Sequence, residues 1–173
     1  VGSEMCIRDR QVGVYFYSGA SNAREAYDEA SYCISLIRDY QITYPVAFDW
    51  ELDGDYDSVT EACETFCNVI SSYGYQPMVY SNRNRWYNNF DGEKIASKYK
   101  VWMAAYFGKF YYDSVRWTYG DELPNFRYHY DMWQYSSRCY VDGISGQVDV
   151  DIAFFGYANY HVDTKDAVLT VTN

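Results

Sequence analysis

The chain has 173 residues, which is enough for one domain with a sizeable core. Hydrophobic residues make up 49% of it, a share that argues against an intrinsically disordered protein. The formal net charge of −10 argues against nucleic acid as a partner, because phosphate binding requires clustered Lys and Arg. No apolar run reaches the ~18 residues that a membrane-spanning helix needs, so we expect no membrane insertion.

The first ten residues, VGSEMCIRDR, lack the periodicity of the rest of the chain. They also lack the apolar stretch of a signal peptide. They resemble a translated sequencing-adapter artefact, so Val1–Arg10 is left out of the fold prediction. The natural N-terminus is then unknown, and the lack of a signal peptide says nothing about secretion.

Six segments rich in β-branched and aromatic residues are predicted as strands. They are Val12–Ser18, Tyr44–Glu51, Gln76–Asn82, Lys100–Phe107, Tyr130–Ser136 and Val148–Phe155. Strand, helix and strand alternate over the first half of this series, which predicts a parallel sheet with right-handed crossovers.

Two amphipathic helices are predicted between the first three strands. The first begins after Asn22, with Glu25 three residues on, a spacing typical of a helix cap. The second begins with the capping-box pair Ser58 and Glu61. It ends at Gly74, because glycine accommodates the left-handed conformation of a C-terminal cap. A shorter and weaker helix is predicted before the fourth strand.

The later strands follow one another without full helices between them. This favours an incomplete α/β barrel of the (β/α) type over a doubly wound sheet, and the nucleotide-binding patterns GxGxxG and GxxxxGK[ST] are absent. The predicted domain covers residues 11–160, and residues 161–173 are predicted to be a linker or the start of a further module. The long aromatic-rich connection Gly108–Arg127 is of a length that is usually functional or mobile.

The five cysteines do not form a complete disulfide framework, because their number is odd. Cys63 and Cys67 share one face of the second predicted helix and are interpreted as small buried hydrophobic residues. A metal site there would need two more ligands, and His129 and His161 do not have the matching spacing. We therefore predict no metal site.

Four acidic residues occur at and just after the end of the predicted strand Tyr44–Glu51. Side chains alternate along a strand, so Asp49 and Glu51 are expected on one face and Trp50 on the other, with the acidic pair roughly 7 Å apart at Cα. Two such groups suit glycosidic cleavage, in which one acid protonates the leaving oxygen and a carboxylate stabilises the oxocarbenium-like centre. An Asp-x-Glu at a strand end is also common without catalysis, since either residue can cap the next helix. Asp53 and Asp55 are interpreted as solvated loop acids.

Aromatic residues occur at almost every predicted strand end, where their faces could stack on sugar rings. The candidates are Tyr15, Tyr17, Tyr80, Trp102, Tyr106, Trp133 and Tyr135. Core packing explains each of them equally well when it is taken alone. Asp149 and Asp151 share a face of the last predicted strand, so one of them can add a third carboxylate.

Six motifs occur in the order VGVYFYS, YPVAFDWE, GYQPMVYSN, VWMAAY, MWQYSS and VDGISGQVDVD. Together they resemble the glycoside hydrolase family 25 lysozymes, the Chalaropsis-type N-acetylmuramidases, over about Gln11–Tyr160. The resemblance implies a (β/α)5(β)3 barrel. It also implies cleavage of the β-1,4 bond between N-acetylmuramic acid and N-acetylglucosamine in peptidoglycan.

The resemblance also implies residue roles. Glu51 matches the general acid, Asp49 its partner, and Asp149 the acidic residue of the last strand. Matches to the substrate-binding groove are Tyr15, Tyr17, Tyr80, Trp102, Tyr106, Trp133 and Gln134. No metal or organic cofactor is implied. Peptidoglycan glycan strands are the expected partner, and we expect a monomer that is secreted or associated with the cell wall.

The chain departs from the family pattern at its beginning. Family members start with an IDVSxxQG-like strand that carries an Asp, then a helix and a second strand, whereas this chain reaches the third-strand motif at once. We therefore expect that the first two strands and helices are missing. A barrel with unpaired edges is expected to be poorly stable and weakly active or inactive.

Two other functions compete with the muramidase. A non-catalytic module could bind glycan through the same aromatic residues, although retention of Asp49, Glu51 and Asp149 speaks against a degenerate enzyme. A chitinase-like hydrolase is disfavoured, because its longer acidic run D-x-x-D-x-D-x-E is absent and FDWELDGD places Glu before the later Asp residues.

Overall fold

The computed structural model describes residues 11–53, 57–106, 123–155 and 169–172. Predictions that fall on Val1–Arg10, on Asp55, on most of Gly108–Arg127 and on His161 lie outside the described residues. The chain divides into two compact units, Val1–Lys100 and Val101–Asn173, and each is described by itself.

The first unit contains three strands and four helices. The strands are β1 (Val14–Ser18), β2 (Val46–Trp50) and β3 (Pro77–Asn82), and the helices are α1 (Ala23–Ile37), α2 (Val59–Ser72), α3 (Arg83–Asn88) and α4 (Gly92–Ala96). The strands are parallel and lie in the order β1-β2-β3. The alternation that was read from the sequence is thus confirmed for this unit.

The caps of α1 and α2 differ from each other. Asn22 accepts hydrogen bonds from the backbone N–H groups of Arg24 and Glu25, so the predicted cap of α1 is confirmed. Ser58 lies at the start of α2, but its side chain forms no capping hydrogen bond, so the predicted capping box is wrong. Its backbone is not extended (φ −99°, ψ 1°), as capping geometry usually requires.

The C-terminus of α2 is a Schellman motif. The N–H of Gly74 donates to the carbonyl of Ser71 (2.9 Å), and the N–H of Tyr75 donates to the carbonyl of Ile70 (3.3 Å). Gly74 has φ of 84°, in the left-handed region that a side chain would disfavour. The end of α2 at Gly74 is therefore confirmed.

Aromatic rings join the strands of the first unit to its helices. The Phe66 ring on α2 lies 5.2 Å from that of Phe48 on β2 and 5.8 Å from that of Phe16 on β1. Phe90 lies 5.7 Å from Trp50 and 5.2 Å from Trp86. Because Phe48 and Trp50 both face helical residues, the opposite face of β2 carries Ala47 and Asp49.

The buried cysteines of α2 belong to the same core. Cys63 and Cys67 are fully buried, which confirms their interpretation as small hydrophobic residues. Burial raises the pKa of the Cys63 thiol well above its usual value, and the neighbouring Cys67 raises that pKa further.

Glu64 links α2 to α4 and to the turn that follows. Its two carboxylate oxygens accept hydrogen bonds from Lys94 Nζ (2.7 Å) and Lys98 Nζ (2.5 Å). Nearby, Tyr99 Oη donates to Asn68 Oδ1 at 2.9 Å. These contacts hold the short α4 helix against the longer α2.

The second unit is built from strands β4 (Lys100–Ala104), β5 (Met132–Cys139), β6 (Val148–Ala153) and β7 (Leu169–Thr172). β4 pairs with β5 in parallel, whereas β5 with β6 and β6 with β7 are antiparallel. The parallel arrangement predicted from the first half of the chain therefore does not extend to β6. The connection between β5 and β6 is too short for a crossover, which needs a dozen or more residues, so the chain reverses direction instead.

Asp131 joins three strands at the start of β5. Its Oδ2 accepts a hydrogen bond from the N–H of Val101 (2.9 Å), and its own N–H donates to the Val101 carbonyl (2.8 Å). The carbonyl of Asp131 accepts from the N–H of Phe154 (2.7 Å). This residue therefore fixes the start of β5 between β4 and the end of β6.

Together the two units make a mixed α/β protein, as the sequence predicts. In the part of the chain that the structure describes, no helix is both long enough and apolar enough to cross a membrane.

Candidate functional site

In the first unit, three predicted site residues lie in one row across the sheet. Tyr17 on β1 is in register with Asp49 on β2, and Asp49 is in register with Tyr80 on β3. Residues in register on parallel strands project from the same face and lie about 4.8 Å apart. The row also lies near the carboxyl ends of the strands, where parallel α/β folds carry their active sites.

Exposure changes along this row. The Tyr17 side chain is 58% exposed, whereas Asp49 is 7% exposed and Tyr80 is buried. Tyr15, two residues before Tyr17 and therefore on the same face, is also exposed. The row thus joins a buried carboxylate to tyrosine rings that a ligand can reach.

Glu51 lies directly beyond the end of β2, two residues after Asp49. Strand spacing puts the two Cα atoms roughly 7 Å apart. The Glu51 side chain is half-exposed, and among the described residues no hydrogen bond or ion pair is made to its carboxylate. Trp50 between them is fully buried on the helical side, where its Nε1–H donates to the carbonyl of Ala20 (3.3 Å).

The backbone around Glu51 is held by side chains from β3 and α3. Ser81 Oγ donates to the carbonyl of Trp50 at 2.7 Å. Arg85 Nη2 donates to the carbonyl of Glu51 at 2.6 Å, and Arg85 Nε donates to the carbonyl of Leu52 at 3.1 Å. The sequence reasoning missed Ser81 and Arg85, because each contact joins residues that lie more than 30 positions apart in the chain.

A further carboxylate, that of Glu29, has a structural role near the end of β1. Glu29 on α1 accepts hydrogen bonds from Ser18 Oγ (2.5 Å) and from the N–H of Gly19 (2.9 Å). Ser18 Oγ also accepts from the N–H of Ala20 at 3.1 Å. The end of β1 is therefore fixed to α1 by Glu29, which the sequence reasoning did not single out.

In the second unit, four polar and aromatic residues project from one face. Ala104, Gln134 and Asp151 are in register across β4, β5 and β6. Trp102 lies two residues before Ala104 on the same face, and its Nε1–H donates to Asp151 Oδ1 at 2.7 Å. The hydroxyl of Tyr106 donates to Gln134 Oε1. The structure thus brings together three predicted site residues and Asp151.

Asp149 and Asp151 have different environments in β6. Asp151 is fully buried and accepts the hydrogen bond from Trp102, whereas Asp149 is half-buried and pairs in register with Thr172. Burial raises the pKa of Asp149 above its usual value, which favours its protonated form. Asp151, rather than Asp149, is therefore the acid that contacts Trp102 and lies in register with Gln134. The sequence had left open which of the two acids adds a third carboxylate.

Trp133 lies apart from this group. It is in register with Met103 and precedes Gln134 directly, so the two side chains leave opposite faces of β5. It is fully buried, and its Nε1–H donates to the carbonyl of Ala105 at 2.9 Å. Its ring packs 5.8 Å from that of Tyr135. These contacts are those of a core residue.

No group of three or more His, Cys, Asp or Glu residues that could hold a metal ion occurs within the described ranges. The chemistry that these groups offer is that of carboxylates beside aromatic rings. In the first unit, a half-exposed carboxylate follows a buried one at a strand end, which is suitable for proton transfer to a bound substrate.

Comparison with known proteins finds phage enzymes among the relatives of this chain. The chain is 29% identical over 137 residues to the lysozyme of Streptococcus phage Cp-1, which covers 73% of this chain and 37% of the relative. It is 29% identical over 147 residues to the D-alanyl-L-alanine endopeptidase of Streptococcus phage B30, which covers 82% of this chain and 31% of the relative. The chain therefore spans about a third of the length of these curated relatives.

Solved structures agree with the sequence relatives. The autolysin LytC from Streptococcus pneumoniae, solved in complex with a synthetic peptidoglycan ligand, matches with a TM-score of 0.62 and 27% identity. That match covers 86% of this chain and 35% of LytC. Residues 7–144, most of the chain, match the family described as glycosyl hydrolases family 25. The chain belongs to glycosyl hydrolases family 25.

Proposed function

We propose that the chain is the catalytic part of a lysozyme-type glycosidase that breaks down the bacterial cell wall. The bond cleaved is the β-1,4 bond between N-acetylmuramic acid and N-acetylglucosamine in peptidoglycan. The observation that carries this proposal is the pair at the end of β2, where the half-exposed Glu51 follows the buried Asp49.

The two carboxylates suit different parts of glycoside hydrolysis. Glu51 is accessible and makes no side-chain hydrogen bond among the described residues, so its carboxyl group can protonate a leaving oxygen. Asp49 is buried in the row between Tyr17 and Tyr80. In this position, an ionised Asp49 would stabilise positive charge that develops on the sugar or orient the substrate's N-acetyl group.

Aromatic side chains are the proposed contacts to the glycan. In the first unit these are Tyr15, Tyr17 and Tyr80, which share the face of Asp49. In the second unit they are Trp102 and Tyr106, together with Gln134, and the acids Asp149 and Asp151 are the candidates for a further carboxylate. Trp133 is not proposed as a contact, because its side chain leaves the face of β5 opposite to that of Gln134.

The relatives support peptidoglycan as the substrate. One is named a lysozyme, and LytC was solved with a peptidoglycan ligand. On the same basis we infer a barrel of the (β/α)5(β)3 type, a monomeric protein that acts at the cell wall after secretion, and catalysis without a metal or organic cofactor. The parallel pairs β1-β2, β2-β3 and β4-β5, followed by antiparallel β5-β6, support the strand directions of that barrel.

The direct test is the chemistry of the products. Peptidoglycan incubated with the purified chain should release muropeptides with new reducing ends at N-acetylmuramic acid, and Glu51→Gln should abolish this release. Mass spectrometry of reduced products is preferred to turbidity, because it identifies the new chain ends directly.

Other products would overturn the proposal. New amino groups without new reducing ends would indicate a peptidase, the activity named for the phage B30 relative. Retention on insoluble peptidoglycan with no cleavage would indicate the non-catalytic binding module. Unchanged release by Glu51→Gln would show that another residue is the acid.

A further inference from the structure

We propose that Arg85 is a positioning residue that sets the location of the Glu51 carboxyl group by holding the backbone of Glu51 and Leu52. The inference rests on the proposed function, because it assigns a purpose to the position of Glu51. Arg85 lies on α3, and it touches the backbone around Glu51 rather than the Glu51 side chain.

The need for such a residue follows from where β2 ends. Strand pairing with β1 reaches Trp50, and pairing with β3 reaches Asp49, so Glu51 lies beyond both ladders. Three consecutive carbonyls at this end, those of Trp50, Glu51 and Leu52, accept hydrogen bonds from side chains instead. Of these three bonds, Ser81 provides the first and Arg85 the other two.

Arg85 is itself well fixed. Its backbone N–H donates to Asn82 Oδ1 at 3.1 Å, which is the N-terminal cap of α3. Its side chain is 18% exposed, and the next residue, Trp86, is fully buried against Phe90. The planar guanidinium can therefore donate from Nε and Nη2 to two successive carbonyls in one rigid arrangement.

The ion pair between Arg85 and Asp53 is expected to contribute less than the hydrogen bonds from Arg85 to the backbone carbonyls. Arg85 Nη2 also lies 2.9 Å from Asp53 Oδ1, but the Asp53 side chain is fully exposed. Solvent and salt weaken ion pairs of this kind. The carbonyl contacts, not the ion pair, are therefore expected to account for most of the effect of Arg85.

A displaced Glu51 backbone changes catalysis more than binding. The carboxyl group moves with its Cα, and a misplacement of about 1 Å can lower the rate by about 10²-fold. The tyrosines that would hold the glycan lie on β1 and β3 and are not attached to Arg85. We therefore expect Arg85→Ala to lower kcat by about 10²-fold with little change in KM.

The experiment compares four variants of the full chain on soluble peptidoglycan oligosaccharides. Arg85→Ala removes both carbonyl contacts, and Arg85→Lys keeps the charge but can replace only one of them. Asp53→Ala removes the ion pair alone. Lys98→Ala is the matched control, because it removes an ion pair of the same unit that is attached to α2 rather than to the end of β2. All kcat values are expressed per folded molecule.

Amide hydrogen exchange of a peptide spanning Asp49–Asp53 gives a second measurement that does not depend on activity. The inference predicts faster exchange and lower kcat for Arg85→Ala, an intermediate result for Arg85→Lys, and values near those of the original chain for Asp53→Ala and Lys98→Ala. Unchanged kcat in Arg85→Ala would overturn the inference. An equal loss of kcat in Asp53→Ala would also overturn it, because the ion pair would then be the cause.

If the original chain has no measurable activity, the inference can still be tested, because hydrogen exchange does not depend on activity. Hydrogen exchange of the Asp49–Asp53 peptide would then be the deciding measurement. Faster exchange in Arg85→Ala would support the inference, and unchanged exchange would contradict it. Products without new reducing ends at N-acetylmuramic acid would instead refute the proposed function.

Discussion

Glu51, directly beyond β2 in the first unit, and Asp151, within β6 in the second, are both acidic residues, but their surroundings differ. Glu51 is half-exposed, its backbone is held by Arg85, and no hydrogen bond to its carboxylate occurs among the described residues. Asp151 is fully buried, and its carboxylate accepts a hydrogen bond from Trp102. Glu51 is therefore positioned through its backbone, and its carboxylate is accessible. The Asp151 carboxylate, by contrast, is itself hydrogen-bonded.

The difference follows from how each unit is built. In the first unit, parallel strands are followed by helices, so β2 leaves the sheet into a connection where Glu51 can be accessible. In the second unit, β5 and β6 form an antiparallel pair, and Asp151 lies inside the sheet in register with Gln134. Accessibility suits a group that exchanges protons with a substrate, and burial suits a group that orients a neighbour.

The largest effect should come from removing the accessible acid. Glu51→Gln keeps the size of the side chain but removes its proton, and general acid catalysis contributes about 10²–10⁴-fold to rate. We expect a loss of that size in muropeptide release. Asp151→Asn should lose less, because an amide oxygen can still accept from Trp102. A greater loss in Asp151→Asn would reverse the assignment of roles.

Stability should depend most on the aromatic core of the first unit. Phe66 is fully buried between Phe16 and Phe48, so Phe66→Ala should lower the free energy of unfolding by about 3–5 kcal/mol. Urea denaturation followed by circular dichroism measures this value. Phe154→Ala is the matched control in the second unit, where the ring is exposed and the loss should stay below about 1 kcal/mol. Similar losses in the two variants would contradict the assignment of the core.

A smaller effect is expected from the buried pair of Asp151 and Trp102. Asp151→Ala leaves the indole N–H of Trp102 without this acceptor, and an unsatisfied buried donor costs about 1–3 kcal/mol. Urea denaturation monitored by tryptophan fluorescence should show this loss, and Asp151→Asn should recover part of it. Equal stabilities for Asp151→Ala and Asp151→Asn would show that the hydrogen bond contributes nothing.

The smallest effects concern pH, and they have opposite signs in the two units. For Glu64, burial opposes ionisation, but hydrogen bonds and charges from Lys94 and Lys98 lower its pKa overall. Its contribution to stability is therefore present above the pKa of the unfolded chain and is lost as pH falls through the lowered value. The two ammonium groups are half-exposed, so Glu64→Gln should cost less than about 1 kcal/mol at pH 7.

Asp149 should behave in the opposite way. Burial raises its pKa, so the folded state binds the proton more tightly, and stability is lost as pH rises from about 4 through the raised value. Asp149→Asn should remove this loss and be relatively more stable at pH 7 than at pH 3. Urea titrations at both pH values check the sign, and a variant that is relatively less stable at pH 7 would contradict it.

Local signals in the sequence predicted the local structure well. Asn22 and Gly74 mark the start of α1 and the end of α2, because a cap needs only neighbouring residues. Side-chain alternation also depends only on neighbouring residues, and it correctly put Asp49 and Trp50 on opposite faces of β2. Ser58 shows the limit of such signals, since its side chain does not cap α2 despite the correct spacing to Glu61.

Contacts between distant residues were not predictable in this way. Arg85 reaches the carbonyls of Glu51 and Leu52 from another helix, and no spacing rule connects them. The choice between Asp149 and Asp151 depended on the register of β6 against β5, which the sequence does not specify. The family, by contrast, was predictable, because the resemblance depends on several motifs at once. The match over residues 7–144 confirms it.

The buried cysteines have a consequence for the compartment in which the protein is expected to work. Cys33, Cys63 and Cys67 are buried free thiols, and burial raises the pKa of Cys33 to about 11. Disulfide exchange and oxidation proceed through the thiolate, which is scarce at neutral pH when the pKa is this high. Burial also raises the pKa of Cys63, so the folded chain should keep Cys33 and Cys63 reduced in an oxidising medium outside the cell. Disulfides that involve Cys33 or Cys63 should form when the protein unfolds, so they would report unfolding rather than exposure to oxidant.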